Sequence, residues 1–434
     1  MNGQDVRRIS YSTGKGLTGE LTLPGDKSIS HRGLLLGSLA EGRTTIENLA
    51  PGTDVRSTVG CLESLGVPVE KDGDLAAVAG QGLRGYDRPG GSLDAGNSGT
   101  LTRLIAGILA THGFKTKIDG DESLRSRPMD RIVEPLSVMG AEIGSRTGRL
   151  PLTITGGDLR GIEYEPEVAS AQVKSSILLA GLGASGKTTV IEPGPSRDHT
   201  ERMLGAMGCP IRIEDNRITI ESPGRLNSLA LKVPGDFSSA GYFIAAASIL
   251  EGSELRIKDV GLNETRTGFL ELMEKMGATI EVKNYEEKNG ESRGDLVVSG
   301  SDLTGVNPTE DEVVKSIDEL PLLAVVATQA EGVTEVRGAE ELRVKETDRI
   351  EATVTNLKAL GADIEELPDG FVVRGPCRLT GGRVESYRDH RIAMSMAVAA
   401  LVAEGETDLI EPGWVEISYP GFFETMEGLI DGES

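Results

Sequence analysis

The chain has 434 residues, with 45 Lys and Arg against 68 Asp and Glu, a formal charge of −23. It is too long for one ordinary domain of roughly 100–200 residues and too acidic for a general nucleic-acid binder or a basic membrane anchor. Apolar residues at 38 % beside charged residues at 26 % allow a buried core and exclude global disorder.

The opening stretch MNGQDVRRISYSTGKG lacks the apolar segment of a secretory signal. No window reaches the ~18 uninterrupted apolar residues of a membrane span. A soluble, cytosolic protein is expected. Cys61, Cys209 and Cys377 lie far apart, which excludes a disulfide framework or a CxxC metal site, and the four histidines form no HExxH or HxH pair. No metal and no cofactor is expected.

From residue 27 onward one phrase recurs at intervals of roughly 70 residues, the mark of a repeat architecture. An apolar helix is followed by a glycine and a β-branched strand: GLLLGSLAEGRTTIENL, LTRLIAGILATHGFKTKI, KSSILLAGLGASGKTTVI, GYFIAAASILEGSELRI, LPLLAVVATQAEGVTEV and IAMSMAVAALVAEGETDLI. The glycines are Gly42, Gly113, Gly186, Gly252, Gly332 and Gly405, and each is expected to cap the helix with positive φ. A second phrase follows each first one: a helix ending in Leu or Met, a glycine, then a strand. It reads SLGVPV, VMGAEI, AMGCPI, KMGATI and ALGADI, and the sixth copy, FFETMEGLI, is expected to stop at Gly428. Helices apolar nearly all round, such as IAMSMAVAALVA, must be buried on most sides. Six units divide into two domains of three, with a break near VPGDFSSAGYF.

The third unit contains a stretch fitting the phosphate-loop pattern, from Gly181 to Gly186, Lys187 and Thr188. That motif needs a strand before it and a helix after it. Here the expected order is the reverse, and the other five units carry unrelated residues in the slot, so a turn is expected rather than a nucleotide site.

The chemistry is expected at the other end of each first helix. The six starts read GDKSISHR, GNSGTLTR, ASAQVKSS, GDFSSAGY, IDELPLL and YRDHRIAM. Plain capping accounts for GDFSSAGY. It does not account for Lys27, a cation beside the positive end of a helix dipole, where it costs roughly 0.3–1 kcal/mol. Lys27, Ser28 and Arg32 at one helix start suit a phosphate or carboxylate. Further basic clusters are Arg125, Arg127 and Arg131; Arg343, Lys345 and Arg349; and Arg388, His390 and Arg391. In so acidic a chain these clusters point to a multiply anionic small molecule. Asp318 and Glu346, set among them, are candidates for proton transfer. Alone, each would read equally well as a cap or an exposed ion pair.

PGDKSISHR, GNSGTLTR, SLRSRPM, ASAQVKS, SRDHTERML, LRVKETDRI and YRDHRIAM occur in that order between about Leu21 and Phe422. Together they resemble the EPSP synthase family of enolpyruvyl transferases. The resemblance implies an α/β fold of two inside-out α/β barrels, each of three βαβαββ units about a pseudo-threefold axis. One domain would hold residues 21–235, and the other residues 1–20 plus 236–434, with two crossovers at a cleft. It implies transfer of the enolpyruvyl group of phosphoenolpyruvate to the 5-hydroxyl of shikimate 3-phosphate, releasing phosphate, in the route to chorismate and aromatic amino acids. The partners would be these two small molecules, with no nucleic acid and no membrane, and the enzyme is expected to work as a monomer.

Carried onto matching positions, the resemblance gives Lys27, Ser28, Arg32, Ser170, Gln172, Ser196, Arg197, Asp318 and Lys345 to shikimate 3-phosphate. It gives Lys27, Gly99, Arg127, Gln172, Arg349 and Arg391 to phosphoenolpyruvate. Asp318 would take the proton of the 5-hydroxyl, Glu346 would protonate the methylene carbon, and Lys27, near the enolpyruvyl group, would be the third catalytic residue. Three departures are visible: Ile417 where many members carry a lysine, Ala171 where some have serine, and Leu104 where some have proline. Gly99 lacks the methyl of glyphosate-resistant members, so competitive inhibition by glyphosate is expected.

Three rivals are distinguishable. The sister enzyme acting on UDP-N-acetylglucosamine uses a cysteine-bearing loop and a Lys-Asn start, whereas Lys27 precedes Ser28 here and SLRSRPM holds no cysteine. An RNA 3′-phosphate cyclase is disfavoured by the acidic charge. A non-catalytic scaffold would need the cations but not Asp318 and Glu346.

Overall fold

The computed structural model describes residues 5–10 and 15–432. Its strands form six sheets. In each of the first three a short strand runs parallel to the strand after the buried helix, and a β-hairpin completes the sheet. Thus Leu93–Asp94 lies parallel to Lys115–Asp119, which pairs antiparallel with Arg149–Thr155, itself antiparallel to Glu142–Arg146. Glu163–Tyr164, Lys187–Ile191, Arg217–Glu221 and Ile211–Glu214 repeat the order. The sixth sheet takes its outer strand from the beginning of the chain: Arg383–Glu385 is parallel to Thr407–Ile410, whose other edge pairs antiparallel with Val6–Ile9.

The chain falls into two compact units. One comprises residues 25–233 with 287–291; the other comprises 1–24, 234–286 and 292–434. These limits stand beside the sequence boundaries of 20/21 and 235/236. Residues 21 and 22 go with the later unit because Thr18–Thr22 runs parallel to Glu254–Gly261. Each unit has its own core. Leu35, Leu104, Ile105, Ile177 and Leu178 lie in one, and Phe243, Leu323, Val325, Ile392 and Val398 in the other.

The six apolar helices are Lys27–Leu39, Gly99–Leu109, Ala171–Gly181, Phe237–Ile249, Leu320–Ala327 and His390–Val402. They are buried almost all round, as uniform hydrophobicity requires; the last is buried from His390 through Leu401. Such packing needs close approach. At Gly107 a Cβ would stand 2.1 Å from the Ser176 carbonyl oxygen of the neighbouring helix.

Two expectations about helix ends need correction. Gly42 is not the cap of its helix, which stops at Leu39 with Ala40 extended, and Gly42 (φ +99°) lies inside the strand Ala40–Glu47. Likewise Gly186, Gly252 and Gly405 have positive φ but sit three to five residues past the helix, at the turn into the strand; Gly332 (φ +105°) already opens the strand Gly332–Val336, and Gly113 does not have positive φ. The true αL endings belong to the second phrase. Gly66, Gly140, Gly208, Gly277 and Gly361 all have positive φ, and in each copy the next residue's N–H bonds back to the carbonyl five residues earlier, as Val67 does to Leu62 and Ala362 to Leu357. Gly428 ends nothing, since the helix Phe422–Asp431 runs through it. The phosphate-loop look-alike lies between the helix ending at Gly181 and the strand starting at Lys187, the wrong order for binding phosphates on a helix start.

Candidate active site

In the unit of residues 25–233, the helix starts gather the expected cations. Asp26 caps Lys27–Leu39 by accepting from the Ile29 N–H at 2.8 Å. Lys27, at the unfavourable end of the dipole, is offset by Asp54, with Nζ 3.2 Å from Oδ2. Arg32 points inward and is 3 % exposed. Its Nε donates to Thr200 Oγ1 at 2.7 Å, one terminal nitrogen to Ser175 Oγ at 3.0 Å and the other to the Ser28 carbonyl at 3.0 Å. All three acceptors are neutral. Burial draws this guanidinium down to about 10; Glu201 and Asp26 oppose the shift, while nearby Arg197 adds to it. A buried cation whose hydrogen bonds all go to neutral oxygens is chemically suited to an anionic partner.

Gly99 opens the helix behind the Ser98 cap. A Cβ there would stand 2.9 Å from an Arg103 terminal nitrogen and 3.2 Å from one of Arg127, so the missing side chain leaves room at two guanidinium groups. Arg127 is 7 % exposed and donates to Asn97 Oδ1 at 2.7 Å. Arg103 donates to Gln172 Oε1 at 2.5 Å, and Gln172 Nε2 donates to Thr100 Oγ1 at 2.9 Å. Ser170 caps the helix Ala171–Gly181. Ser196 Oγ donates to Glu192 Oε1 at 2.5 Å. Arg125 belongs elsewhere: it is exposed and clamped to Asp119 at 2.8 and 3.0 Å.

The unit of residues 234–286 and 292–434 builds a different arrangement. Arg349, 2 % exposed, touches three carboxylates: Asp389 at 2.7 Å, Glu346 at 2.6 Å and Asp318 at 3.1 Å. Burial opposes its charge, but Asp389 and Glu346 outweigh burial and raise its pKa above the ordinary arginine value. Arg391 reaches Asp318 Oδ2 at 3.4 Å and Glu319 Oε1 at 3.3 Å. Burial again works against the charge, and Asp318 leads the groups that hold it well above the usual value. Burial keeps Lys345 below an ordinary lysine in spite of Asp318. The chain places these groups by short turns: Asp348 caps the helix Arg349–Ala359, and Asp389 caps His390–Val402.

Asp318 stands one residue before the N-cap of Leu320–Ala327, which is Glu319, so its carboxylate is not spent on capping. Of the remaining basic clusters, Arg343 is a clamp, bonded to Asp348, Glu366 and the carbonyls of Leu367 and Pro368. Arg388 is exposed, with φ +60°. Ile417 is buried in the 3-10 turn Pro412–Ile417, so this position supplies packing and no charge. Among the described residues no group of three or more His, Cys, Asp or Glu could hold a metal ion, and no helix is long and apolar enough to cross a membrane.

A sequence profile described as EPSP synthase (3-phosphoshikimate 1-carboxyvinyltransferase) matches residues 11–426. The chain belongs to the EPSP synthase family. The 3-phosphoshikimate 1-carboxyvinyltransferase of Thermodesulfovibrio yellowstonii is 49 % identical over 420 residues, covering 96 % of this chain and 98 % of that one. The enzyme of the same name from Bacillus licheniformis is 47 % identical over 418 residues, with 96 % and 98 % covered. The structure of EPSP synthase from Acinetobacter baumannii superposes with a TM-score of 0.86 at 42 % identity, over 95 % of this chain and 96 % of that one. The mixed α/β fold is thus that of the EPSP synthases.

Sequence reasoning missed several residues in this EPSP synthase family member. Glu319 is 2 % exposed and accepts from Ser238 Oγ at 2.5 Å as well as from Arg391. Arg266, buried, donates to Ser238 Oγ at 2.6 Å and lies 4.0 Å from Asp318. Thr200 and Ser175, 2.7 Å apart, seat Arg32. Arg103 carried a usable signal, one helical turn after Gly99. The others had none, because their partners lie far away in sequence.

Proposed function

We propose that the protein transfers the enolpyruvyl group of phosphoenolpyruvate to the 5-hydroxyl of shikimate 3-phosphate, giving 5-enolpyruvylshikimate 3-phosphate and inorganic phosphate. The observation that carries the reading is the set Asp318, Glu346, Arg349 and Arg391, two acids and two buried arginines in ionic contact, in a chain matched to the family over nearly its whole length.

Lys27, Ser28, Arg32, Ser170, Gln172, Ser196, Arg197 and Lys345 would hold shikimate 3-phosphate. Lys27, Gly99, Arg127, Gln172, Arg349 and Arg391 would hold phosphoenolpyruvate. Both sets would serve one pair of substrates, and the two units correspond in this reading to the two inside-out barrels of the family. The enzyme would act as a monomer without metal or cofactor.

The steps follow from charge. Asp318 lies beside Arg349 and Arg391, which favour its ionised form and suit it to accept the 5-hydroxyl proton. Glu346 accepts from Arg349 when no ligand is bound. An incoming dianion would compete for that guanidinium, and Glu346, the other acid on Arg349, would carry the proton delivered to the methylene carbon. The substrate oxygen then bonds to the adjacent carbon, giving a tetrahedral ketal. Elimination of phosphate runs the proton transfers backwards, with arginine and lysine neutralising the leaving group. The test is phosphate release from phosphoenolpyruvate with shikimate 3-phosphate, and with UDP-N-acetylglucosamine as control acceptor. Release with the first acceptor alone is expected; equal release with the second, or with neither, overturns the reading.

A further inference from the structure

The helix Ala171–Gly181 is apolar along most of its length, yet Lys174 sits within it with its side chain 2 % exposed. Its ammonium bonds to two carboxylates, Glu192 Oε2 at 3.0 Å and Glu201 Oε1 at 2.6 Å. Burying an ammonium with two carboxylates is expensive, and an apolar side chain of similar volume would often give a more stable fold. The cluster therefore calls for a reason other than stability.

Its connections supply one. Glu192 uses its second oxygen for the Ser196 hydroxyl, in the loop that also carries Arg197. Glu201 lies in the first turn of the helix His199–Ala206 beside Thr200, whose hydroxyl receives Arg32 Nε. Ser175, next to Lys174, receives another nitrogen of Arg32. Lys174 thus ties together three segments: its own helix, the loop of Ser196 and Arg197, and the start of the helix whose Thr200 seats Arg32. Glu201 is also the first of the charges that favour ionised Arg32, without touching it. Burial raises the pKa of Glu201 and Lys174 counters the shift, so the ammonium helps keep that counter-charge in place.

We propose that Lys174 is a positioning residue for shikimate 3-phosphate: through Glu192 and Glu201 it sets Ser196, Arg197 and Arg32 at the spacing and charge that this anion needs. The inference rests on the reaction proposed above. The wild-type assay separates the two, since a wild-type enzyme inactive on this substrate pair sinks the reaction, whereas the variants below judge Lys174.

The experiment compares Lys174→Arg, which keeps the charge, with Lys174→Met/Glu201→Gln, which leaves Glu192 as the single carboxylate of the cluster. Steady-state kinetics and circular dichroism are measured on each. The double variant should raise KM for shikimate 3-phosphate by about tenfold or more, with kcat and KM for phosphoenolpyruvate within about threefold of wild type. The arginine variant should recover most of the affinity. An unchanged KM for shikimate 3-phosphate in a folded double variant overturns the proposal, as does a loss shared equally by both substrates. If the double variant does not fold, Glu192→Ala decides. That change keeps the Lys174–Glu201 pair and cuts the link to the Ser196 loop. A selective rise in KM for shikimate 3-phosphate supports the proposal, and an unchanged KM overturns it.

Discussion

The two units hold their buried arginines in opposite ways. Arg32 is surrounded by a threonine, a serine and a carbonyl, while Arg349 is gripped by Asp389, Glu346 and Asp318. One cation waits for its counter-ion; the other already has three. The first would serve affinity under the proposed function, since an arriving anion would meet a guanidinium bonded to neutral oxygens. The second would serve chemistry under the proposed function, where ligand and acids would share one guanidinium.

The largest expected effect tests the gripped side. Arg349→Met strands Asp389, which is 0 % exposed. It should cost about 3–5 kcal/mol of stability, since removing one partner leaves a buried charge uncompensated. A thermal melt that does not move would show that the carboxylates are satisfied without it. Next comes Asp318→Asn, which keeps the shape and removes the base; kcat should fall by roughly 10³ with KM values within about tenfold. Near-normal turnover would remove Asp318 from proton transfer.

The waiting side should respond in the reverse sense. Arg32→Met deletes a cation that burial already disfavours and leaves the Thr200–Ser175 bond intact. The melting temperature should hold or rise, while KM for shikimate 3-phosphate increases by about 10²-fold. A melt lowered as far as that of Arg349→Met would erase the contrast between the units. The smallest expected effect is at Gly99→Ala. The new methyl meets the ends of two flexible side chains, Arg103 and Arg127, which can give way. KM for phosphoenolpyruvate should rise by about threefold to tenfold, and the inhibition by glyphosate expected of the parent should weaken more. Unaltered glyphosate inhibition would place Gly99 away from that ligand.

What the sequence made legible was periodic or local. Apolar runs around whole helices announced six buried helices, and cations beside helix starts announced anion chemistry. Lys27 and Arg349 were visible because their surroundings in sequence made them odd. Lys174 was not, since one lysine in ASAQVKSSILLAGL looks like a solvated end of the helix. Only tertiary packing brings Glu192 and Glu201 to it. The displaced glycines teach the same lesson on a smaller scale. Positive φ could be read from residue type, but whether it ends a helix or begins a strand depends on where the next sheet takes up the chain. Arg125 and Arg343 looked like ligand groups by composition, yet nearby acids and carbonyls occupy them.

The strand Val6–Ile9 closes the last sheet by pairing with Thr407–Ile410, some four hundred residues downstream. During translation Val6–Ile9 must therefore wait for Thr407–Ile410 to be made before it can take its place in the sheet. A fragment starting at residue 234 would lack both Val6–Ile9 and Thr18–Thr22. To fold it as an autonomous piece, an engineer would have to graft those early residues back, and a circular permutant with new termini near 24/25 offers the more natural break.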